Sequence, residues 1–376
     1  SDMNLYKSLI FILYLGIFLG SGFRTPAQSR DSITLYGTLD TVQVIRQRIQ
    51  HANEANAGAR VTHISPAILQ ANKTRSLAEL LTDHTSIYIK SLGTGALSTA
   101  SFRGTSASQT RVNWNGINIT PPLSGTFDFS QIPVFFTDNI NLYYGSSHVK
   151  NGTGAIGGSV NLFTDTDWNR GVNGRVLAEY GSYNTYTVGG QANISGNKSA
   201  SKTRLYYQHS DNDYTYLNKV LTNTPFREKR QDAAYSQFGI MQEGYFRVSP
   251  YTRLTAVAWY QKNHRNLPQP LGVVNRSQED QEENNFRGYA GLDFSRGIHE
   301  LHVKAAWLYF CQTYDIRYDG GLFDPKGNKN RSNTAQVVAD YTYSPTDKLI
   351  LNTTLTYSHD LIRVSSYISR RPSGLR

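Results

Sequence analysis

Leu301-His302-Val303-Lys304-Ala305-Ala306-Trp307-Leu308-Tyr309 is the stretch that decides the fold. Leu301, Val303, Ala305, Trp307 and Tyr309 take every second position, with His302, Lys304 and Ala306 between them. A period of two belongs to a strand with two unlike faces. The alternation recurs at Tyr186, Val188, Gly190, Ala192 and Ile194 against Thr187, Gly189, Gln191 and Asn193. It recurs again at Ala335–Tyr343 and at Leu349–Tyr357. From about Gly174 onward the chain holds about nine such segments, each near the 9–11 residues of a membrane strand.

The connections favour a membrane barrel over a soluble two-layer sandwich. Links around Gly196–Ser201, Ser249–Thr252, Ser295–His299 and Ser344–Asp347 are short. Links over Asp211–Ala234, Asn266–Asn285 and Asp315–Ser332 are long and polar, and they alternate with the short ones after a first tight turn at Gly181–Asn184. Outer-membrane barrels sort their turns in this way, and a sandwich has no reason to. Tyr180, Tyr206, Tyr207, Tyr260, Tyr341, Tyr343 and Tyr357 stand near strand ends, where interfacial girdles form. A sheet in hydrocarbon has to close, because an open edge leaves N–H and C=O groups unpaired. About nine strands, followed by a basic, patternless Ser369–Arg376, therefore read as the first part of a longer barrel, a truncated chain.

Composition agrees with this reading. Of 376 residues, 18% are charged and 12% aromatic, against about 25% charged in an ordinary soluble chain. Lys and Arg number 38 and Asp and Glu 28, a net charge of +10. The single cysteine excludes a disulfide framework and a multi-cysteine metal site. Lys7, the short apolar run Leu9–Leu19 and the small residues near Ala27 form a signal-peptide pattern over residues 1–27; a buried N-terminal helix is the alternative.

Residues 46–165 read as a compact α+β domain. Ser76-Leu77-Ala78-Glu79 is a capping box that opens a short helix, and Ser65-Pro66 opens another. Ile87–Ser91, Ser101–Arg103, Val112–Trp114, Asn139–Tyr144 and Ser159–Phe163 read as short strands. A domain exported ahead of a barrel has an obvious place, the barrel lumen.

Within it, Ser101-Phe102-Arg103-Gly104-Thr105, Asn115-Gly116-Ile117 and Gly154-Ala155-Ile156-Gly157-Gly158-Ser159-Val160-Asn161-Leu162 resemble the plug of TonB-dependent outer-membrane receptors in wording, order and spacing. The nearest likeness is to the cobalamin- and siderophore-type receptors. Asn115 stands where many family plugs have Asp, and Tyr144-Gly145-Ser146-Ser147 stands in place of an Arg-Gly-Pro run. The implied fold is mainly β: an N-terminal α+β plug domain followed by an incomplete antiparallel transmembrane β-barrel. The expected divisions are a signal peptide (1–27), an N-terminal segment (28–45), the plug (46–165) and the partial barrel (166–376).

The resemblance implies active uptake of a bulky metal chelate (an iron–siderophore, haem or cobalamin) across a Gram-negative outer membrane. Asp40, Thr41, Val42, Gln43, Val44 and Ile45 look like the segment that binds TonB, the inner-membrane energy-coupling partner. An extended run of β-formers suits addition to a partner's sheet edge; an ordinary first strand is the alternative. The resemblance makes Arg103 a buried anchor paired with barrel carboxylates, with Gly104, Gly154, Gly157 and Gly158 shaping the same junction; a surface strand arginine is the plain alternative. Leu97, Ser98, Pro122, Leu123, Ser124 and Phe127 lie in plug loops that combine apolar contact with hydroxyls, suited to a bulky ligand or explained by ordinary loop chemistry.

The remaining motifs carry less. Gly152-Thr153-Gly154-Ala155-Ile156-Gly157 spells a dinucleotide fingerprint, but a strand follows it where that motif needs a helix. Asp211, Asp213 and Asp232 suit a hydrated loop better than a calcium site. Arg227, Lys229, Arg230, Lys326, Lys329 and Arg331 place positive charge in outer loops, where lipopolysaccharide phosphates or anionic chelates lie; solvated loops are the default. No catalytic constellation, metal-ligand spacing or cofactor is expected, nor nucleic acid as a partner. A binding or adhesion barrel without transport is the rival reading.

Overall fold

The computed structural model describes residues 60–145, 157–220, 224–271, 277–318, 326–346 and 349–368. All of them lie in one compact unit, Asn56–Arg376. The signal pattern, the Asp40–Ile45 segment, Gly154 and Ser369–Arg376 fall outside the described residues.

The N-terminal domain runs β1 (Val61–Ile64), α1 (Pro66–Ala71), α2 (Leu77–His84), β2 (Tyr88–Ser91), β3 (Ser98–Ser101), β4 (Thr110–Trp114), β5 (Ile117–Asn118), β6 (Asn139–Tyr144) and β7 (Gly158–Phe163). Both helices begin where their caps dictate. The Ser65 hydroxyl accepts from the Ile68 N–H, with Pro66 at the first helical position. Ser76 and Glu79 close a reciprocal capping box. The sheet order is β1-β6-β7-β4-β5, with β7 parallel to β4. Leu77, Leu80 and Leu81 of α2 pack with Val112, Ile140, Leu142, Val160 and Leu162 in one buried core. Each such side chain removed from water contributes about 1.5–3 kcal/mol.

Gly158 shows why a glycine is needed there. Its φ is +153°, and a Cβ would lie 2.5 Å from the Tyr143 carbonyl and 2.9 Å from the Phe102 ring. The position is closed by β6 and the Phe102 ring. Gly157 likewise packs against Thr105 within the domain. The strand ends at Ser101, and Arg103 and Gly104 turn through φ +47° and +79°. Arg103 is exposed, with its guanidinium 5.6 Å from the Tyr144 ring centroid.

The second part is a nine-stranded antiparallel sheet: β8 (Gly171–Gly181), β9 (Thr185–Ser195), β10 (Ser199–Ser210), then, after a small hairpin of β11 (Thr215–Asn218) and β12 (Phe226–Lys229), β13 (Tyr235–Ser249), β14 (Thr252–Asn266), β15 (Ser277–Arg296), β16 (His299–Tyr318), β17 (Lys326–Thr346) and β18 (Leu349–Ile368). Consecutive strands of this sheet are neighbours, and its edges, β8 and β18, do not pair with each other.

Its burial pattern is inverted relative to a soluble sheet. Val188, Ile194, Leu205, Trp307, Val337 and Leu355 are exposed, while Thr187, Lys202, Arg204, Gln237, Glu243, Gln261 and Gln336 are buried. Apolar side chains face out and polar ones face in, as in a membrane wall around a polar lumen. No helix among the described residues is long and apolar enough to cross a membrane.

β8 and β9, at 11 residues each, match the expected 9–11, and the later strands of the sheet exceed it. β15 and β16 have 20 each, β17 has 21 and β18 has 20. At about 3.3 Å per residue, 20 residues reach far past a hydrocarbon core of about 30 Å, even when tilted. The ladders continue beyond the membrane into what reads from sequence as long loops. Asn266 pairs with Asp280 and Ile316 with Lys326. Cross-strand charge supports this extension, for example Lys262 Nζ with Glu282 Oε2 at 3.1 Å.

Candidate functional site: a domain seated against the inner wall

The N-terminal domain rests on the polar face of the sheet. β10 supplies the centre of the contact because Lys202 and Arg204, two positions apart, both point inward. Two corners of the Arg204 guanidinium are hydrogen-bonded and the third lies in ion-pair range of a carboxylate. Nη2 pairs with Asp138 of the domain, Nη1 donates to the Phe135 carbonyl at 3.0 Å, and Nε lies 3.1 Å from Glu243 Oε1 on the neighbouring strand. Tyr245 donates to Glu243 Oε2 at 2.6 Å. Lys202 Nζ is 3.1 Å from the Asp138 carboxylate and also donates to the Asp165 carbonyl.

Burial pushes the Asp138 carboxyl up, but Arg204, Lys202 and the Asp165 N–H more than offset it, holding the group at about 2. Lys73, closed in beside it, donates to the Val134 carbonyl at 3.4 Å and also to the Thr137 carbonyl at 2.5 Å. Burial draws its ammonium down to about 8 against the pull of Asp138. Aromatic rings complete the seat. Phe136 lies 5.3 Å from Trp259, and Trp114 lies 5.4 Å from Trp259 and 5.2 Å from Tyr289. Gly239 lets Phe136 approach, since a Cβ there would fall 2.6 Å from its ring.

A second contact lies at β14. Gln261 donates to the Gln131 carbonyl, and Asn263 Nδ2 to Gln131 Oε1 at 2.9 Å. Arg265 Nη1 meets Asp128 Oδ2 at 2.7 Å. None of these wall residues, nor Asp128 or Asp138, stands out in the sequence. The usable signal is a charged side chain on the inward register of a strand whose outward register is apolar.

Beside this contact a cavity of about 510 Å³ opens between the domain's loops and the wall. It gathers four of the six expected ligand residues: Leu97, Pro122, Ser124 and Phe127. Ser98 lies beneath, buried, its N–H given to Asp128 Oδ1 at 3.0 Å. Leu123 is exposed and outside the lining. From the wall come Arg265, Glu283, Arg287 and Thr334; from the domain, also Arg111. The volume is in the range of small-molecule sites, about 300–1,000 Å³.

Three aspartates of the first outer loop do not converge. Asp211 bonds His209 and Asn184, each at 3.1 Å, and Asp213 pairs with Lys229 at 2.7 Å. Among the described residues no group of three potential metal ligands forms. Arg230 stacks on Tyr216 and donates to the Gln269 carbonyl.

Residues 53–159 match the family model for the TonB-dependent receptor plug domain. The chain carries the plug of a TonB-dependent receptor. The chain is similar to the vitamin B12 transporter BtuB of Photobacterium profundum, 32% identical over 135 residues, which are 36% of this chain and 22% of that protein. BtuB of Vibrio cholerae is also 32% identical, over 126 residues, 33% of this chain and 20% of that protein. The matched stretch thus spans about a fifth of these relatives' length. In three dimensions, plug and wall together follow the FrpB iron transporter of Neisseria meningitidis, with TM-score 0.65 and 13% identity over 81% of this chain and 49% of that one. The ferripyoverdine receptor of Pseudomonas aeruginosa gives 0.61 and 15%, over 84% and 44%. These likenesses fix the fold as plug plus an incomplete receptor-type barrel, and the protein as one of the outer membrane.

Proposed function

We propose that the chain belongs to a receptor that takes up a bulky metal chelate (an iron–siderophore, haem or cobalamin) using energy from TonB. The observation that carries this reading is the cavity walled on one side by plug loops and on the other by the barrel. A ligand held there touches the element that has to move. Pro122, Ser124, Phe127 and Leu97 supply contact from the plug, and the arginines and amides of β14 and β15 supply it from the wall.

The coupling step needs no bond chemistry. TonB adds to the Asp40–Ile45 segment as a strand, pulls, and disturbs the plug's hold on the wall at Asp138 and Asp128, so that ligand is released inward. Basic residues of the outer hairpins, among them Lys326, Lys329 and Arg331, contact lipopolysaccharide phosphates.

The test is energised uptake of iron-55 chelates or labelled cobalamin by cells expressing the full receptor, with and without residues 40–45. Deletion is expected to abolish uptake and leave surface binding intact. Undiminished uptake would contradict the coupling and favour a binding barrel without transport.

A further inference from the structure

We infer that the outer rim beside the first long loop is a glycan-binding surface, on which Tyr183 and Tyr214 stack against hexopyranose rings. It is separate from the cavity and does not depend on transport.

Tyr183 occupies a position that disfavours a large side chain. The turn from Ser182 to Thr185 closes with the Thr185 N–H on the Ser182 carbonyl at 3.2 Å, and its central residues, Tyr183 and Asn184, have φ +61° and +52°. Hairpin turns of this shape favour Asn-Gly, because a Cβ is strained in the left-handed region. The ring placed there is 49% exposed and lies past the last ladder pair, Gly181 with Thr185. It meets Tyr214 edge to face at 6.2 Å, and Tyr214 meets Tyr216 at 6.4 Å. The hydroxyls of Tyr183 and Tyr214 make no hydrogen bond among the described residues. Tyr186 and Tyr207, 5.9 Å apart on β9 and β10, form a separate pair at the level of the interfacial girdle.

Oriented polar groups adjoin the exposed rings. The Asp211 N–H donates to the Tyr183 carbonyl at 3.0 Å. Its carboxylate accepts from Asn184 Nδ2 at 3.1 Å, and His209 Nε2 lies 3.1 Å from the other oxygen. Asp213 pairs with Lys229 at 2.7 Å across the base of the hairpin. Asp211 and Asn184 are exposed, so both have hydrogen-bonding capacity left for a ligand.

A ring with an apolar C–H face and hydroxyls around its edge fits this surface, and a hexopyranose is such a ring. A wholly apolar partner would bury the phenols and Asp211 without partners, at a cost. A metal ion finds no group of three ligands among the described residues. A polyanion would meet the Asp211 and Asp213 carboxylates. The long loops face outward, where cell-surface polysaccharide and free oligosaccharide are both at hand.

Isothermal titration calorimetry of the full receptor, in a detergent without a sugar headgroup, tests this with three probes: maltoheptaose, laminarihexaose and the dephosphorylated core oligosaccharide of the host strain's lipopolysaccharide. Saturable binding of at least one is expected. Affinity should fall roughly tenfold or more in Tyr183→Gly and in Tyr214→Ala and survive in Tyr183→Phe. Glycine suits the turn better than tyrosine, so Tyr183→Gly should melt no lower than the parent, which separates a lost contact from a lost fold. Preference for the core oligosaccharide would assign the ligand to the cell's own surface, and preference for either glucan to a free oligosaccharide. Three results would overturn the inference: no saturable binding of any probe, affinity unchanged in Tyr183→Gly and Tyr214→Ala, or a lower melting temperature in Tyr183→Gly, which would make the ring a staple of the turn.

Discussion

The carboxylate of Asp128 serves the plug with one oxygen and the wall with the other. Oδ1 accepts from the Ser98 N–H at 3.0 Å and from the Ser130 N–H and hydroxyl at 3.1 and 2.7 Å. Oδ2 meets Arg265 Nη1 at 2.7 Å, and both side chains are about nine-tenths buried. Arg265 is further held by Gln281 Oε1 at 3.0 Å. Two loops that carry cavity residues, one with Leu97 and the other with Ser124 and Phe127, are thereby tied to the same group that fixes the plug to β14. Removing one partner strands the other charge, so Arg265→Gln or Asp128→Asn is expected to cost about 3 kcal/mol. In a double-mutant cycle of urea unfolding, the pair is expected to show a coupling of about 1–3 kcal/mol. A coupling near zero would mean that the contact is made but not used.

The Asp138 carboxyl is held at about 2 in the folded chain against 3.8 ordinarily. A depressed carboxyl contributes stability that is complete above its unfolded value and lost as pH falls through the folded one. The docked plug is therefore expected to lose about 2 kcal/mol between pH 4 and pH 2 through this group, read from denaturant midpoints. Asp138→Asn should flatten that limb. Lys73, drawn down to about 8 from 10.5, gives an alkaline limb. The unfolded chain keeps that proton to higher pH, so stability rises between about 8 and 10.5, and Lys73→Met should remove the rise.

Gly239 faces Phe136 so closely that any side chain collides with the ring. Gly239→Val is expected to cost about 1–3 kcal/mol and to expose the plug to protease. Phe136→Leu in the same chain should restore part of the loss. Equal protease resistance in Gly239→Val and the parent would place Phe136 away from β13.

Neighbouring residues of β17 should respond oppositely to charge. Val337 is exposed on the outer face and Gln336 is buried against the plug, where its Oε1 accepts from the Asn118 N–H at 2.9 Å. Val337→Arg is expected to cost about 2–4 kcal/mol if it lies near mid-bilayer, measured by unfolding from lipid vesicles. Gln336→Glu should leave insertion unaffected and loosen the plug. The reverse ranking would mean that the sheet faces the other way.

The alternation of Thr187 with Val188 and the Ser76–Glu79 box were legible because each is local: one period, one cap. The outer halves of β15 and β17 were not. Glu279, Asp280, Glu282 and Glu283 have poor intrinsic strand preference, and only their cross-strand partners, such as Lys262 and Arg317, keep them in the ladder. The seat of the plug was illegible for another reason. Arg204 and Asp138 are 66 residues apart and Arg265 and Asp128 are 137 apart, and nothing in either neighbourhood names the other. The described ion pairs between plug and wall put the cations on the wall and the carboxylates on the plug.

The inside-out arrangement of the wall is tested most directly with its tryptophans. Trp307 is about half exposed on the outer face of β16, and Trp259 is buried against the plug. In liposomes with brominated acyl chains, a receptor retaining only Trp307 among its four tryptophans should be strongly quenched, and one retaining only Trp259 should not. Strong quenching of Trp259 with Trp307 unaffected would contradict a plug held inside a lipid-facing wall.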